Sequence, residues 1–319
     1  MLNIALASDD NYAQQMTIAI YSIIQSNSQE DITFHILDTG MNYKSKEFIV
    51  RMMEDNNKNY TIYDLSDMEN NYGFKSKSDV LPIGAYARIF LPNMLEDDID
   101  RILYIDSDCV NVEKLSKLYY IDMKDDIIAG VQDFADSKAR LSNGLNEKTR
   151  YINSGMILFN VKLWKEENIT SKIHEYILKK SGNVVQEDQG AINAILKGRI
   201  KILSPEYNML TPFFFVSSKY LTERFNIKNF YSDKELLKAR KNPIIIHYLK
   251  FNNLVNRPWE KYCFHPKRNI YRKYYEELYG KKIKLVRNNK TIRQYLSSIY
   301  TLYIPYKIKK CINRLLVRR

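Results

Sequence analysis

Short apolar runs and longer stretches of helical spacing take turns along most of the chain. Residues 3–7 form an apolar run of the kind that makes a buried strand, ended by the polar Ser8-Asp9-Asp10-Asn11. Met16, Ile20, Ile23 and Ile24 then fall on one helical face. Residues 32–37 and 60–65 are the next strands, and Phe48, Ile49, Met52 and Met53 mark the helix between them. Residues 85–91 predict a short helix stopped by Pro92, which lacks the N–H a helix interior needs. Arg101-Ile102-Leu103-Tyr104-Ile105 is the strongest strand signal and runs into Asp106-Ser107-Asp108. Residues 127–131, 156–159 and 244–246 are further core strands. Asn160 is placed to cap a helical turn over 161–164, and 190–196 is a helix. Strand and helix alternating at this spacing imply an α/β fold, a parallel sheet with helices on both faces.

From about Asn269 the pattern turns helical and basic, and this locates the charge. The net charge of +12 comes from 49 basic and 37 acidic side chains. Residues 281–319 hold seven lysines and five arginines and no acid, so the first 280 residues are neutral. We therefore divide the chain into a body, 1–265, and a basic extension, 266–319. In the extension Ile292, Tyr295, Leu296, Ile299 and Tyr303 share one helical face. Beyond Pro305 the pattern repeats with Ile308, Cys311, Ile312, Leu315 and Leu316, while Lys307, Lys310, Arg314 and Arg318 lie opposite. A basic amphipathic pair of this kind suits an anionic bilayer surface better than nucleic acid. Packing against the body or a partner is the alternative. No run is apolar and long enough to span a membrane, and no signal peptide is evident. Cys109, Cys263 and Cys311 are odd in number and scattered, which fits a reducing, cytoplasmic setting.

Candidate chemistry gathers where strands end, since ligands of open α/β sheets sit beyond the carboxyl ends of strands. Ser8-Asp9-Asp10-Asn11, Asp106-Ser107-Asp108, and His247 after Ile244-Ile245-Ile246 all hold that position. Two aspartates side by side repel a polyanionic ligand unless a divalent cation lies between them. The histidine tilts the choice of ion from Mg²⁺ toward Mn²⁺. Asp98-Ile99-Asp100 has the same triplet form but precedes a strand, and reads as a solvated turn.

Leu6-Ala7-Ser8-Asp9-Asp10-Asn11-Tyr12, Ala85-Tyr86-Ala87-Arg88, Leu103 to Asp108, Tyr151-Ile152-Asn153-Ser154-Gly155, Asn160-Val161-Lys162-Leu163-Trp164 and Glu187-Asp188-Gln189 stand in this order. Together they resemble glycosyltransferase family 8, the retaining family that includes lipopolysaccharide α-galactosyltransferases and bacterial general-stress glycosyltransferases. The resemblance runs from about Asn3 to Trp259. It implies a GT-A fold, a Rossmann-like mixed sheet flanked by helices. It also implies transfer of galactose or glucose from a UDP-hexose to a glycan, glycolipid or glycoprotein hydroxyl, with an α linkage and Mn²⁺ (or Mg²⁺) as cofactor. The setting would be bacterial cell-surface polysaccharide or lipopolysaccharide synthesis, at the inner face of the membrane.

By the same resemblance, Ala7, Ser8, Asp9 and Asn11 form the nucleoside pocket, with Asp9 facing the uracil N3–H and Asn11 the ribose. Arg88 contacts the donor phosphate or sugar. Asp106, Asp108 and His247 bind the metal, with Ser107 in the donor-binding set. Asp133, Asn153, Gly155, Asp188 and Gln189 surround the anomeric carbon. Retention leaves two routes. Double displacement needs a nucleophile, for which the Gln189 amide is poor and Asp188 the carboxylate to consider. Front-face departure instead relies on stabilising charge on the leaving diphosphate. The chain departs from the family after His247. Residues 247–259 are about three longer than the usual segment and lack its glycine, and Arg257 replaces the lysine before Pro258-Trp259, with Lys250 able to share its role. A non-catalytic sugar-nucleotide or glycan-binding protein on this fold is the rival reading.

Overall fold

Ten strands form in the computed structural model, which describes residues 1–65, 83–251 and 255–287 together with Gln294, Leu296, Tyr300 and Ile308. They are β1 (Leu2–Ser8), β2 (Ile32–Asp38), β3 (Asn59–Asp64), β4 (Arg101–Ile105), β5 (Cys109–Asn111), β6 (Ile128–Gln132), β7 (Ile152–Asn160), β8 (Ile200–Leu203), β9 (Met209–Leu210) and β10 (Ile245–His247). Seven of them make one sheet in the order β3-β2-β1-β4-β7-β6-β8, and β5-β10-β9 make a second, small one. The large sheet is mixed rather than wholly parallel, because β7 runs antiparallel to both β4 and β6.

Strand alternation sorts the core onto the two sheet faces, since successive side chains point to opposite sides. Leu2, Ile4 and Leu6 of β1 pack with Leu103, Ile105, Met156 and Leu158 against Met16, Ile20 and Ile23 of helix Ala13–Ser26. Ala5, Ile102, Tyr104, Ile157 and Phe159 face the other way, toward Ile89 and Phe90 of helix Ile83–Met94 and the buried Trp164. Central strands buried on both faces read as continuous apolar runs, which is why they are plain in the sequence. Asn160 caps helix Val161–Glu166 by accepting from the Leu163 N–H at 3.1 Å.

Helix Ile83–Met94 does not stop at Pro92 but carries it inside. Proline forfeits one hydrogen bond to the residue four before it, and this close to the helix end the remaining turn has little left to lose. Residues 98–100 are turn and loop, as their position before β4 implies. A third apolar cluster ties the C-terminal helix Arg268–Tyr279 to the body: Tyr271 and Tyr275 pack with Ile18, Val110, Ile246, Tyr248 and Trp259. The amphipathic pattern from Ile292 to Leu316 lies outside the described residues, apart from the four single positions named above. Among the described residues no helix is long and apolar enough to cross a membrane.

Two buried histidines make the fold acid-sensitive. His35 sits between the Tyr63 hydroxyl (3.0 Å) and Asn3 Oδ1 (3.2 Å), and burial pushes it down to about 4. His265 makes T-shaped ring contacts with Phe214 and Tyr248, and burial pushes it down to about 3. Both are neutral in the fold yet gain a proton on unfolding below the ordinary value of 6.5, so stability drops as pH falls from there. The expected loss approaches about 1.4 kcal/mol per pH unit for each histidine. Urea unfolding across pH 4.5–7 should show it, with a shallower slope for His35→Gln; an unchanged slope would refute the assignment.

Candidate active site

The reversed strand β7 assembles the site. Because it opposes β4 with Ile105 across from Met156, its first residues lie at the edge where β4 ends. The Asp106 N–H donates to the Gly155 carbonyl at 2.8 Å, joining Asp106-Ser107-Asp108 to Asn153-Ser154-Gly155. β6 runs parallel to β4's direction and delivers Asp133 at the same edge, where its N–H donates to the Tyr151 carbonyl at 2.8 Å. β10 pairs with β5, bringing His247 opposite Cys109. The Ser107 hydroxyl donates to the Ala7 carbonyl at 2.7 Å, which ties in the end of β1.

Asp106, Asp108 and His247 come together as a set. His247 Nε2 lies 3.0 Å from Asp108 Oδ1 and 4.0 Å from Asp106 Oδ2. Nε2 is buried and makes no well-directed hydrogen bond. Burial opposes charge on both His247 and Asp108. Even so, Asp108 holds His247 above its ordinary value, and His247 with Arg257 pulls Asp108 down to about 2. A buried imidazole facing two carboxylates is a place that favours positive charge, and two hard oxygens with one nitrogen fit Mn²⁺ or Mg²⁺. Cys109 Sγ lies near Asp108 and His247 as well. Burial holds this thiol protonated, and it is turned toward the Gly155 carbonyl at 4.0 Å, so we read it as packing. Gly155 lets the two side chains come this close: a Cβ there would meet His247 Cε1 at 2.2 Å and Asp106 Oδ2 at 2.6 Å.

Arg88 is the buried cation beneath this set. Its Nη2 lies 3.0 Å from Asp106 Oδ1, its Nε 3.1 Å from Asp188 Oδ2, and its Nη1 donates to the Ser154 carbonyl at 2.6 Å. The guanidinium stacks over Tyr104 at 4.5 Å, and the Tyr104 hydroxyl donates to Asp106 Oδ1 at 3.0 Å. All three nitrogens of Arg88 are therefore committed to the protein. Gln189 is equally engaged. Its Oε1 accepts from Ser154 N (3.0 Å) and Asn153 Nδ2 (3.1 Å), and its Nε2 donates to Asp133 Oδ2 at 2.9 Å. Burial raises both Asp133 and Asp188, with Arg88 opposing it at Asp188 and hydrogen bonds from Asn153 and Gln189 at Asp133.

The nucleoside-pocket candidates form an ordered loop at the end of β1. Ser8 donates to the Asp9 carbonyl at 2.7 Å, Asn11 Nδ2 to Asp9 Oδ2 at 2.9 Å, and the Tyr12 N–H to Asp9 Oδ1 at 3.3 Å. Asp10 pins the loop to Asn42 and Ser45. Arg257 is drawn to Asp108: its Nη2 lies 2.9 Å from Asp108 Oδ2, its Nη1 bonds the Tyr12 hydroxyl, and it stacks near Tyr12 and Trp259. Lys250 instead pairs with Glu260 at 3.3 Å, half-exposed and outside that set. Residues 252–254 of the intervening loop lie outside the described residues. Sequence reasoning missed Tyr12 and Tyr104 as partners of the charged groups, although Tyr104 shares the strand face of Asp106 by simple alternation. It also missed Asn208, which bonds both Asn153 and His247.

A family model described as Glycosyl transferase family 8 matches residues 3–263. General stress protein A of Bacillus subtilis (strain 168) is 27% identical over 85% of this chain and 92% of its own length. The lipopolysaccharide 1,2-glucosyltransferase of Escherichia coli (strain K12) is 25% identical over 85% of this chain and 76% of its own. Among solved structures, the galactosyltransferase LgtC in complex with donor and acceptor sugar analogs superposes with a TM-score of 0.69 at 22% identity, covering 93% of this chain and 100% of that one. That likeness shows the GT-A fold.

The crowding around Gly155 gives a direct test. Gly155→Ala should push His247 or Asp106 aside and weaken Mn²⁺ binding by ~10–100-fold, with the circular dichroism spectrum kept. Unaltered Mn²⁺ binding in a calorimetric titration would show that His247 and Asp106 do not hold the cation.

Proposed function

We propose, from the premise that this chain belongs to glycosyl transferase family 8, that it is a retaining hexosyltransferase. It moves galactose or glucose from a UDP-hexose to a hydroxyl of a glycan or glycolipid acceptor, forms an α linkage, and depends on Mn²⁺. The observation that carries this reading is the convergence of Asp106, Asp108 and the buried His247 Nε2 beside Gly155, whose missing Cβ lets His247 and Asp106 come this close. The same set weighs against a mere sugar-nucleotide or glycan-binding protein, which has no need of it.

In this reading Asp106, Asp108 and His247 hold the cation, and the bound ion offsets negative charge on the diphosphate of the departing UDP. Ala7, Ser8, Asp9 and Asn11 receive the nucleoside, with the Asp9 carboxylate suited to the uracil N3–H. Arg88 orients Asp106 and Asp188 and adds positive charge close to the phosphates. Arg257, beside Asp108, and Lys250 on the same segment supply cations for the diphosphate. Asp133, Asn153, Asp188 and Gln189 orient the hexose. Both ends of the Gln189 amide are engaged, and Asp188 is paired with Arg88. Neither is a free nucleophile, which favours front-face departure over a covalent intermediate.

The basic extension, 266–319, is proposed to bind the anionic inner face of the membrane and bring the site to a membrane-borne acceptor. Truncation after Gly280 keeps helix Arg268–Tyr279 and removes the rest. The truncated protein should stop sedimenting with anionic liposomes and keep its activity on a soluble acceptor. Retained liposome binding would refute the attachment.

For the chemistry, UDP-sugars are screened with Mn²⁺ and free UDP is read. We expect release from UDP-galactose or UDP-glucose, abolished by chelation. Asp108→Asn should cut it by at least ~100-fold, since one anionic ligand is lost. No release from any UDP-hexose, or full activity in Asp108→Asn, would overturn the proposal.

A further inference from the structure

The buried hydrogen bonds around Asn208 can be assigned without choosing amide orientations. The Gly155 backbone N–H, which can only donate, lies 3.0 Å from one amide atom of Asn153, so that atom is the oxygen. The Asn208 amide atom 2.9 Å from the same oxygen must then be its nitrogen. That leaves the Asn208 oxygen, an acceptor only, facing His247 Nδ1 at 3.0 Å. Nδ1 of His247 therefore carries a hydrogen, and in the neutral ring the lone pair sits on Nε2. This is the atom facing Asp108 and Asp106. Asn208 is fully buried, at the end of the short 3-10 turn Pro205–Asn208. The parallel pairing of β9 with β10 holds it in place, Leu210 lying opposite His247. The Thr211 hydroxyl donates to the His247 carbonyl at 3.2 Å and fixes the backbone there.

From this geometry we infer that Asn208 is a positioning residue with two jobs. It sets the ring tautomer that makes His247 a metal ligand, and it joins the metal set to the hexose-facing network of Asn153, Gln189 and Asp133. Ligating histidines need a partner on the second nitrogen to fix tautomer and ring orientation, and loss of that partner weakens metal binding. Here the partner is an amide with a second obligation. Its nitrogen holds Asn153 Oδ1, and Asn153 Nδ2 reaches Asp133 Oδ2 (3.2 Å) and Gln189 Oε1 (3.1 Å). The inference rests on the metal reading given above.

Two variants separate the two jobs. Asn208→Leu removes both contacts at similar size, whereas Asn208→Asp keeps an acceptor for His247 Nδ1–H and loses the donor to Asn153. Mn²⁺ is titrated into metal-stripped, full-length protein without donor, and the free ion is counted by its electron paramagnetic resonance signal. Asn208→Leu should bind Mn²⁺ ~10–100-fold more weakly. Asn208→Asp should stay within roughly threefold of the unmodified chain, while its KM for the UDP-hexose rises. A folded Asn208→Leu protein with unchanged Mn²⁺ affinity overturns the inference. If that variant does not fold, Asn208→Asp decides alone: retained Mn²⁺ binding with a raised KM supports the two roles, and lost Mn²⁺ binding refutes them. Should the unmodified chain take up no Mn²⁺, the metal reading falls and takes this inference with it.

Discussion

A single reversed strand is the constraint on which the rest depends. β7 lies antiparallel between β4 and β6 and buries eight of its nine residues. Were it parallel, Asn153, Ser154 and Gly155 would sit at the opposite edge of the sheet from Asp106 and Asp108. The reversal instead sets a glycine beside two aspartates, with the hydrogen bond from Asp106 N to the Gly155 carbonyl as the joint. The Asn153-Ser154-Gly155 segment and the Asp106-Ser107-Asp108 segment thus share one backbone contact.

Charge at that joint is held in balance by geometry. Asp106, Asp108, Asp133 and Asp188 are gathered at one edge, all but Asp106 buried. Gathering carboxylates out of water is costly unless each meets a cation or several donors. Arg88 answers Asp106 and Asp188, Arg257 answers Asp108, and Asp133 is satisfied by amides and the Phe134 N–H. Every one of these partners comes from a different part of the chain. The arrangement costs stability locally, and the double-sided core of the large sheet offsets it.

How much of this was legible in sequence follows from the range of each interaction. Central strands buried on both faces announce themselves as apolar runs, and the motif ends of β1 and β4 could be placed from them. The apolar pattern marks β7 only over 156–159, because its first half carries Asn153, Ser154 and Gly155, polar or small residues that weaken an apolar signal while staying fully in the strand. β5 and β9 are three and two residues long, too short for any period to show. Propensity ends the helix before Pro92, because it says nothing about how near the helix's natural end the proline falls. Asn208 had no local mark at all. Its partners are 55 and 39 residues away in the chain, and only the pairing of β9 with β10 brings them within reach.

The small sheet β5-β10-β9 gives the C-terminal helix a structural duty. His247 ends β10, and the next residue, Tyr248, is buried in one cluster with Tyr271, Tyr275 and Trp259. The Tyr248 hydroxyl donates to the Lys267 carbonyl at 2.8 Å, just ahead of helix Arg268–Tyr279. That helix is therefore the buttress behind the histidine, although none of its side chains touches Asp106, Asp108 or His247 in the ion pairs described above. A fragment that keeps His247 supported has to include this helix, since a cut at Arg268 would strip the wall from behind it. Val286 exchanges backbone hydrogen bonds with Trp259 and Lys261, so a pull on the chain beyond it meets that bridge before it meets the helix.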